Sequence, residues 1–278
     1  MTSHPYEDWI GRTRTLRDTL SSATAARLLG ALDSRPLDPG AGALLLGHWL
    51  CFRPEMVRGR TGIDGHPLKG DFLPPVALPR RMWAGSRVAW DRAVPLDVPL
   101  EQVSTIESIA AKSGRSGDLV FVTVRHEVGD ADGPVLTEHQ DIVFRPATTS
   151  AGPGGPGDPA PALAWSKPFV PDPVLLFRYS ALTGNSHRIH YDRPYAQAEE
   201  GYPALVVHGP LTATLLLDHL VAQVGRAPRS FAFRGASPLF DTDAVTLGAS
   251  PPDAGGTARM QATNGAGTPC MNATAQFD

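Results

Sequence analysis

Gly209–Val224 reads GPLTATLLLDHLVAQV, and this stretch decides the expected fold. Pro210 stands at its start, where a helix tolerates a residue that lacks an N–H group. The apolar residues recur at helical spacing and form one wide stripe: Leu215, Leu216, Leu217, Leu220, Val221 and Val224. Because the stripe covers so much of the surface, the sequence predicts a long helix that is almost fully enclosed by the rest of the fold.

Alternating strand patterns occur in both halves of the chain. In residues 120–125, VFVTVR, valine occupies every second position, and a further strand is expected at residues 142–144. In residues 270–277, CMNATAQF, small or apolar side chains again occupy every second position. A long buried helix accompanied by antiparallel strands is an α+β arrangement.

A short motif is repeated between the halves. Residues 88–96 read VAWDRAVPL and residues 231–239 read FAFRGASPL, and both fit apolar–Ala–aromatic–x–x–Ala–x–Pro–Leu. Each copy follows a helix-like segment and precedes strand patterns. The sequence therefore predicts one α+β module that occurs twice.

Two further helices are expected from capping residues. Asp172 is a natural N-cap, and Pro173 follows it at the first position of a helix over residues 174–182. Ser22 would cap a helix over residues 23–32 in the same way.

A segment rich in glycine and proline separates the halves. Residues 147–162 read ATTSAGPGGPGDPAPA, which has no apolar periodicity and cannot bury enough surface to join a core. We therefore predict a first module over residues 1–146, a linker over 147–164 and a second module over 165–278.

Composition excludes several classes of protein. The 278 residues carry a net charge of -3, which does not favour nucleic acid or an anionic membrane as a partner. Two cysteines exclude a disulfide framework and fit the cytoplasm. Residues 1–12 have no signal-peptide pattern, and no apolar run is long enough to span a bilayer.

The densest polar cluster is residues 183–192, TGNSHRIHYD, and it is followed by His208-Gly209-Pro210 at the start of the long helix. A helix N-terminus offers unpaired N–H groups and a partial positive charge, which stabilise a developing oxyanion. Histidine transfers protons near neutral pH. The combination favours an enzyme site for proton transfer next to a carbonyl group.

This cluster resembles the hydratase motif of the MaoC-like, R-specific enoyl-CoA hydratase family, a small residue followed by Gly–Asp–x–Asn–Pro–apolar–His. The chain as a whole resembles the two-module branch of mesaconyl-C4-CoA and itaconyl-CoA hydratases and type 2 3-hydroxyacyl-thioester dehydratases. Three segments carry this resemblance: HPLKGDFLPPVALPRRMWAG, STIESIAAKSGRSGDLVFVTVRHE and FRYSALTGNSHRIHYDRPYA. It implies a double hot-dog fold, in which each module is an antiparallel sheet wrapped around a long helix.

The resemblance also implies residue roles. His190 would be the catalytic histidine, and the Gly209 N–H would donate to the oxyanion. The family's catalytic aspartate falls on Asn185, which cannot exchange a proton as a carboxylate can. Asn185 would instead orient the water or the thioester oxygen; the alternative is that activity is weak or lost. His187 and Arg188 replace the family's Asn-Pro pair and would bring positive charge, which suits a substrate with a second carboxylate.

Further residues are expected to bind substrate. Tyr191 and His208 lie next to the motif, and Met82 and Trp83 are candidates to line the acyl pocket from the first module. The neighbouring pair Arg80-Arg81 is placed where the second module has His208-Gly209, and it would bind CoA phosphates or a substrate carboxylate. The alternative is a solvated surface pair. Asp192 precedes Arg193-Pro194, so we favour a helix N-cap over a general acid.

No metal or cofactor is expected. His187, His190 and His208 could be imagined as a zinc triad, but no helix displays them together and no Glu or Cys stands near. Gly40 and Gly42 follow no strand and lack a third glycine, which excludes a nucleotide-binding loop.

We therefore expect a cytoplasmic hydro-lyase that acts on the α–β double bond of a short acyl-CoA, with a mesaconyl- or itaconyl-type acyl group favoured. Only the second module carries the histidine motif, so one active site per chain is expected. The alternatives are a 3-hydroxyacyl-ACP dehydratase and a non-catalytic hot-dog subunit that binds thioesters. The expected partner is the acyl-CoA or acyl-ACP thioester, and a homodimer or higher assembly is possible for such modules.

Overall fold

The computed structural model describes residues 5–34, 42–53, 57–114, 117–147 and 163–278. Of the expected linker, residues 147–164, only Ala147, Leu163 and Ala164 are among these residues. No helix among the described residues is long and apolar enough to cross a membrane.

The described residues of the first half form two helices and five strands, besides short 3₁₀ turns. In chain order these are β1 (Thr13–Thr19), α1 (Ser22–Ala31), α2 (Gly42–Leu45), β2 (Arg80–Trp90), β3 (Pro99–Gly114), β4 (Gly117–Asp130) and β5 (Gly133–Arg145). The second half continues with β6 (Trp165–Phe169), α3 (Pro173–Thr183), α4 (Arg193–Ala198), α5 (Gly209–Val224), β7 (Ser230–Gly235), β8 (Val245–Ala249), β9 (Thr257–Thr263) and β10 (Pro269–Gln276).

All ten strands lie in one antiparallel sheet with the order β1-β3-β4-β5-β2-β7-β10-β9-β8-β6. Each half has the same internal order, because β1-β3-β4-β5-β2 corresponds to β6-β8-β9-β10-β7 when read from the outer edge. The halves meet where β2 pairs with β7, and Val88 lies directly opposite Phe231. These are the first residues of the two repeated motifs, so the predicted duplication is confirmed, and the two halves share one continuous sheet.

Helix α5 is the enclosed helix that the sequence predicts. It begins at Gly209 and ends at Val224, before Gly225 in the left-handed conformation. Leu211, Leu216 and Leu220 are completely buried. The helix packs on the second half of the sheet, where Met271, Ala273 and Ala275 are buried as their alternation predicts.

The capping residues are placed as expected, with one shift. The Asp172 carboxylate accepts hydrogen bonds from the N–H groups of Val174 and Leu175, 2.8 and 3.0 Å long, and opens α3. In the first half Ser21, rather than Ser22, caps α1, because its hydroxyl accepts from the N–H of Thr24.

The prediction of a long central helix in each half is wrong for the described part of the first half. The segment that packs against α5 there is α2, a single turn, followed by a 3₁₀ turn over Gly47–Leu50. Gly42 allows a very close approach, since a Cβ at this position would lie 2.6 Å from the Asp218 Cα.

The expected equivalence of Arg80-Arg81 with His208-Gly209 is also wrong. Arg80 and Arg81 open strand β2, whereas His208 and Gly209 open α5. In the duplicated order β2 corresponds to β7, which follows the central helix rather than starting it.

Candidate active site

The candidate site is built on the loop between α3 and α4. Helix α3 ends at Gly184, whose φ of 64° is left-handed. A Cβ here would lie 2.6 Å from the Arg53 Cδ, so both the backbone angle and the close side chain of the first half require glycine. The loop then carries Asn185, His187 and His190 within six residues.

His190 lies at the end of a 3₁₀ turn and is only 7% exposed. Its Nδ1 is 2.7 Å from the carbonyl oxygen of Val206. A carbonyl oxygen can only accept, so Nδ1 carries the proton and Nε2 keeps a free lone pair. Burial lowers the pKa of His190 to about 4, against a raising effect of the Val206 carbonyl. The imidazole is therefore neutral near pH 7 and is a base at Nε2.

The ring of His208 packs against the ring of His190. The two rings are stacked with centroids 3.6 Å apart and planes 18° from parallel. His208 is completely buried, and its Nε2 is 2.8 Å from the hydroxyl oxygen of Ser180. Burial holds the pKa of His208 well below its usual range, so His208 is a neutral packing partner of His190. The structure thus places this predicted substrate-binding residue behind His190.

The start of α5 adjoins these rings, because His208 is its N-cap residue. A Cβ at Gly209 would meet only the Met271 Cε, at 3.9 Å, so the first turn leaves space beside the Gly209 backbone. The first N–H groups of a helix lack intrahelical partners. This geometry suits the predicted role of the Gly209 N–H as a donor to an oxyanion.

The oxygen and the NH₂ group of the Asn185 side chain have different roles. Its Oδ1 accepts a 3.0 Å hydrogen bond from the His187 N–H, which stabilises the turn. With Oδ1 occupied in this way, the amide NH₂ is the group left to donate toward a ligand. An aspartate at this position would have no such donor. Asn185 can therefore orient an oxygen atom of water or substrate but cannot take up a proton.

His187 and Arg188 do not supply the free positive charge that the sequence favours. Burial, with the neighbouring His66 and His190, lowers the pKa of His187 to about 2, so its ring is neutral. The Arg188 guanidinium donates to the Asp192 carboxylate at 3.0 and 2.7 Å and stacks on the Tyr195 ring. This arginine is therefore neutralised within the loop.

Two other residues of the loop, Tyr191 and Asp192, stabilise it through hydrogen bonds. The Tyr191 hydroxyl donates to the Ser186 carbonyl at 2.9 Å, and the Tyr191 side chain is largely exposed. The Asp192 carboxylate accepts from the Tyr195 N–H at 3.1 Å and caps α4, as predicted.

Residues of the first half complete the site. Arg81, Met82 and Trp83 line a cavity of about 310 Å³ together with Asn185. Trp83 and Asn185 also line a second cavity of about 250 Å³, so the two cavities adjoin at these side chains. Arg81 has no hydrogen bond or ion pair among the described residues, although Asp64 attracts it from a longer distance, and it therefore offers a positive charge near the loop. Both cavities lie between the two halves.

The first half also brings a histidine that sequence reasoning missed. A tight turn places Asp64 Oδ2 3.1 Å from His66 Nδ1, and the His66 ring lies 4.1 Å from the His187 ring. The turn is attached to the candidate loop, because the Arg188 N–H donates to the Asp64 carbonyl at 2.9 Å. The sequence signal that could have predicted this turn is Asp-Gly-His-Pro, which is typical of a tight turn.

These residues also form the group best placed to hold a metal ion. Potential ligand atoms of Asp64, His66 and His187 all lie within 4.8 Å of one another. The zinc triad considered from the sequence differs, since His190 Nδ1 and His208 Nε2 already have partners in the protein.

Comparison with known proteins identifies the family. Residues 45–241 match the family of hydroxyacyl-thioester dehydratase type 2. The chain belongs to this family. It is 42% identical over 263 residues to mesaconyl-C4-CoA hydratase of Chloroflexus aurantiacus, covering 90% of this chain and 91% of that protein.

Solved structures confirm the double hot-dog fold. HtdX of Mycobacterium tuberculosis superposes with a TM-score of 0.68 at 19% identity, covering 96% of this chain and 100% of that one. A second protein of Mycobacterium tuberculosis, described as having a double hotdog fold, gives a TM-score of 0.59 at 14% identity, covering 96% of this chain and 95% of that one.

Membership of the hydroxyacyl-thioester dehydratase type 2 family confirms the expected class of reaction. The protein is a hydro-lyase of acyl thioesters. The candidate loop and the start of α5 lie within the matched residues 45–241.

Proposed function

We propose that this family member hydrates the α–β double bond of a short dicarboxylic acyl-CoA, or removes water from the corresponding 3-hydroxyacyl-CoA. One observation carries the proposal: His190 is neutral, its Nδ1 is held by the Val206 carbonyl, and its Nε2 is therefore a free base beside the start of α5. A neutral base next to unpaired N–H groups is what reversible hydration of a thioester needs.

The reaction follows from these groups. The thioester carbonyl oxygen accepts a hydrogen bond from the Gly209 N–H. His190 Nε2 removes a proton from water as the water oxygen bonds to the β-carbon, and the π electrons of the double bond move toward the thioester oxygen. The enolate then takes the proton from the His190 imidazolium at the α-carbon, which regenerates the neutral base. The Asn185 NH₂ group orients the water or the acyl group throughout.

The acyl group is proposed from the similarity to mesaconyl-C4-CoA hydratase and from charge. Mesaconyl-C4-CoA carries a free carboxylate at the end of its acyl group, and the relative named for that substrate aligns with 90% of this chain. Arg81 lines the 310 Å³ cavity without a partner of its own, which suits either this carboxylate or a CoA phosphate.

The experiment is a substrate panel. Purified protein is mixed with mesaconyl-C4-CoA, itaconyl-CoA and crotonyl-CoA, and the absorbance of the conjugated thioester is followed. We expect the absorbance to fall fastest with mesaconyl-C4-CoA. No change with any of the three would contradict the proposed function and favour a non-catalytic thioester-binding subunit.

The family match supports one other candidate, a 3-hydroxyacyl-ACP dehydratase. It predicts that 3-hydroxyacyl thioesters of longer, uncharged chains gain absorbance faster on ACP than on CoA. The same panel, extended by these thioesters, separates the two.

We also propose that the protein acts in the cytoplasm. Cys51 and Cys270 are both free and buried, and burial raises the pKa of Cys51 to about 12, so these thiols are compatible with a reducing compartment.

A further inference from the structure

A belt of polar side chains crosses the inward face of the first half of the sheet. We call these residues the polar belt, and they come from β1, β3, β4 and β5: Arg14, Gln102, Ser104, His126, Glu138 and Gln140. Along their strands they share the face of buried apolar neighbours such as Val124 and Ile142. Strand alternation therefore places polar groups where a hot-dog module would otherwise continue its apolar core.

The polar belt divides the apolar core. On one side Leu100, Val128 and Leu136 belong to the large cluster around α5. On the other side Ile106, Val124 and Ile142 belong to a separate, smaller cluster. Burying polar side chains between two apolar clusters is costly unless they find partners. Within the belt Gln102 donates to the Ser104 hydroxyl at 3.1 Å, and this hydroxyl lies 2.8 Å from His126 Nδ1. Arg14 has no such hydrogen bond within the belt and is the member left to bind an occupant.

The 250 Å³ cavity lies over this belt. Five of its wall residues are belt residues: Arg14, Gln102, His126, Glu138 and Gln140. The opposite wall comes from the second half and includes Asn185 and Pro210, which belong to the candidate loop and to the first turn of α5. The cavity therefore extends from Asn185 and the first turn of α5 into the first half, where the end of an acyl group would lie.

Several polar atoms in this wall lack partners. Arg14 Nε, His48 Nδ1 and Glu138 Oε1 are buried and have no hydrogen bond. The other carboxylate oxygen of Glu138 is held by His48 and by Trp49, at 2.8 and 3.0 Å. Arg14 stacks over the Phe72 ring at 4.5 Å and forms no ion pair within the described residues.

A second cation stands at the cavity. The Arg53 side chain lies against Gly184, next to Asn185, and it too forms no ion pair among the residues that the structure describes. Among the described residues of the wall, Glu138 is the one carboxylate, and it faces His48 and Trp49. Arg14 and Arg53 therefore outnumber the acidic groups described in the wall, although Asp71 attracts Arg14 from outside it.

We propose that the 250 Å³ cavity is the acyl-end subsite and that Arg14 binds the free carboxylate of a dicarboxylic acyl thioester there, with Arg53 as the second cation. This assignment rests on the proposed hydratase function and adds the residues that select the substrate. An uncharged hydrocarbon end would give the partly buried Arg14 side chain no partner at ion-pair distance, whereas a carboxylate forms a charge-assisted pair with it. The polar belt thus excludes fatty acyl chains.

The test compares two thioesters in variants of one strand. Arg14→Gln removes the proposed cation, and Arg14→Lys keeps its charge. Arg17→Gln is the matched control, because Arg17 lies on the same strand, points outward and pairs with Glu101 on the surface. For each protein kcat/KM is measured with mesaconyl-C4-CoA and with crotonyl-CoA, together with the melting temperature.

We expect the ratio of kcat/KM for mesaconyl-C4-CoA to that for crotonyl-CoA to fall about 10- to 100-fold in Arg14→Gln, the usual effect of losing a charged hydrogen-bonding partner. Arg14→Lys should retain most of the ratio, and Arg17→Gln all of it. An unchanged ratio in Arg14→Gln, or in Arg53→Gln if the first variant does not fold, would overturn the subsite. Absence of turnover in the wild-type protein with both thioesters would instead overturn the proposed function.

Discussion

His190 donates a 2.7 Å hydrogen bond from Nδ1 to the carbonyl oxygen of Val206, and this contact fixes which nitrogen can act as a base. Val206 lies two residues before the N-cap of α5, so the same chain segment orients the imidazole and begins the helix whose N–H groups would bind the oxyanion. The base and the oxyanion donor are therefore held together by one short segment.

Activity should be insensitive to pH over a wide acidic range. Because burial lowers the pKa of His190 to about 4, its base form persists well below the usual range of histidine. The rings that face it, His187 and His208, are neutral as well. We expect kcat/KM for crotonyl-CoA to be constant from pH 8 down to about pH 5.5. Loss of half the activity by pH 6.5 would mean that a histidine of ordinary pKa is the base.

The stability of the folded protein limits how low the pH of that experiment can be. A histidine with a lowered folded pKa contributes stability above its unfolded value of about 6.5, and the contribution is lost as pH falls toward the folded value. His187, His190 and His208 all act in this direction. The melting temperature should therefore fall below pH 6.5 and needs to be recorded at each pH.

Substitutions at Asn185 distinguish a hydrogen-bond donor from a group that transfers a proton. Asn185→Ala removes the amide donor and should cost about 1–3 kcal/mol of transition-state stabilisation. Asn185→Asp keeps the acceptor for the His187 N–H but replaces the NH₂ group by a negative charge. We expect activity with crotonyl-CoA to be kept or improved, because the carboxylate restores the Asp/His pair of the hydratase motif and so offsets the lost donor. KM for mesaconyl-C4-CoA should rise through repulsion of like charges. A lower KM for the dicarboxylic thioester would contradict this account.

The turn that carries His66 is attached to the candidate loop at Gly65. This glycine has a φ of 90°, and a Cβ would lie 1.9 Å from the Ser186 carbonyl oxygen. Gly65→Ala should lower both the melting temperature and kcat, because the turn and the loop cannot keep their contact. Gly133→Ala is the control. Gly133 has a φ of 117°, so alanine strains the backbone there, but no atom lies within 4 Å of the new Cβ. It should cost roughly 1–3 kcal/mol of stability and leave kcat unchanged.

Metal removal tests the expectation that proton transfer needs no cofactor. Asp64, His66 and His187 are close enough to bind an ion, so the question is open to direct experiment. We expect full activity after prolonged treatment with EDTA. Activity that is lost and then restored by added zinc would assign a metal to these three residues.

Local signals in the sequence predict much of the fold. The apolar stripe and Pro210 define α5 to the residue, and Asp172 caps α3 because both signals act within a few residues. The repeated motif predicts the duplication. In the structure the first residues of its two copies, Val88 and Phe231, lie opposite each other where the halves join.

What the sequence could not predict depends on contacts between distant segments. His66 approaches His187 only because the first half folds over the candidate loop. The charge expected on His187 is absent because burial, which no local pattern reports, lowers its pKa. The polar belt combines four strands, each of which contributes only one or two unremarkable polar residues.

The most direct test of the account is the turnover of His190→Ala, measured by the absorbance of the conjugated thioester beside His139→Ala, a partly exposed histidine that pairs with Glu107. If His190 Nε2 is the base, kcat should fall by about 10²–10⁴-fold, while the protein remains folded and His139→Ala keeps wild-type turnover. Near-normal turnover of folded His190→Ala would contradict the assignment of His190 as the proton-transfer residue.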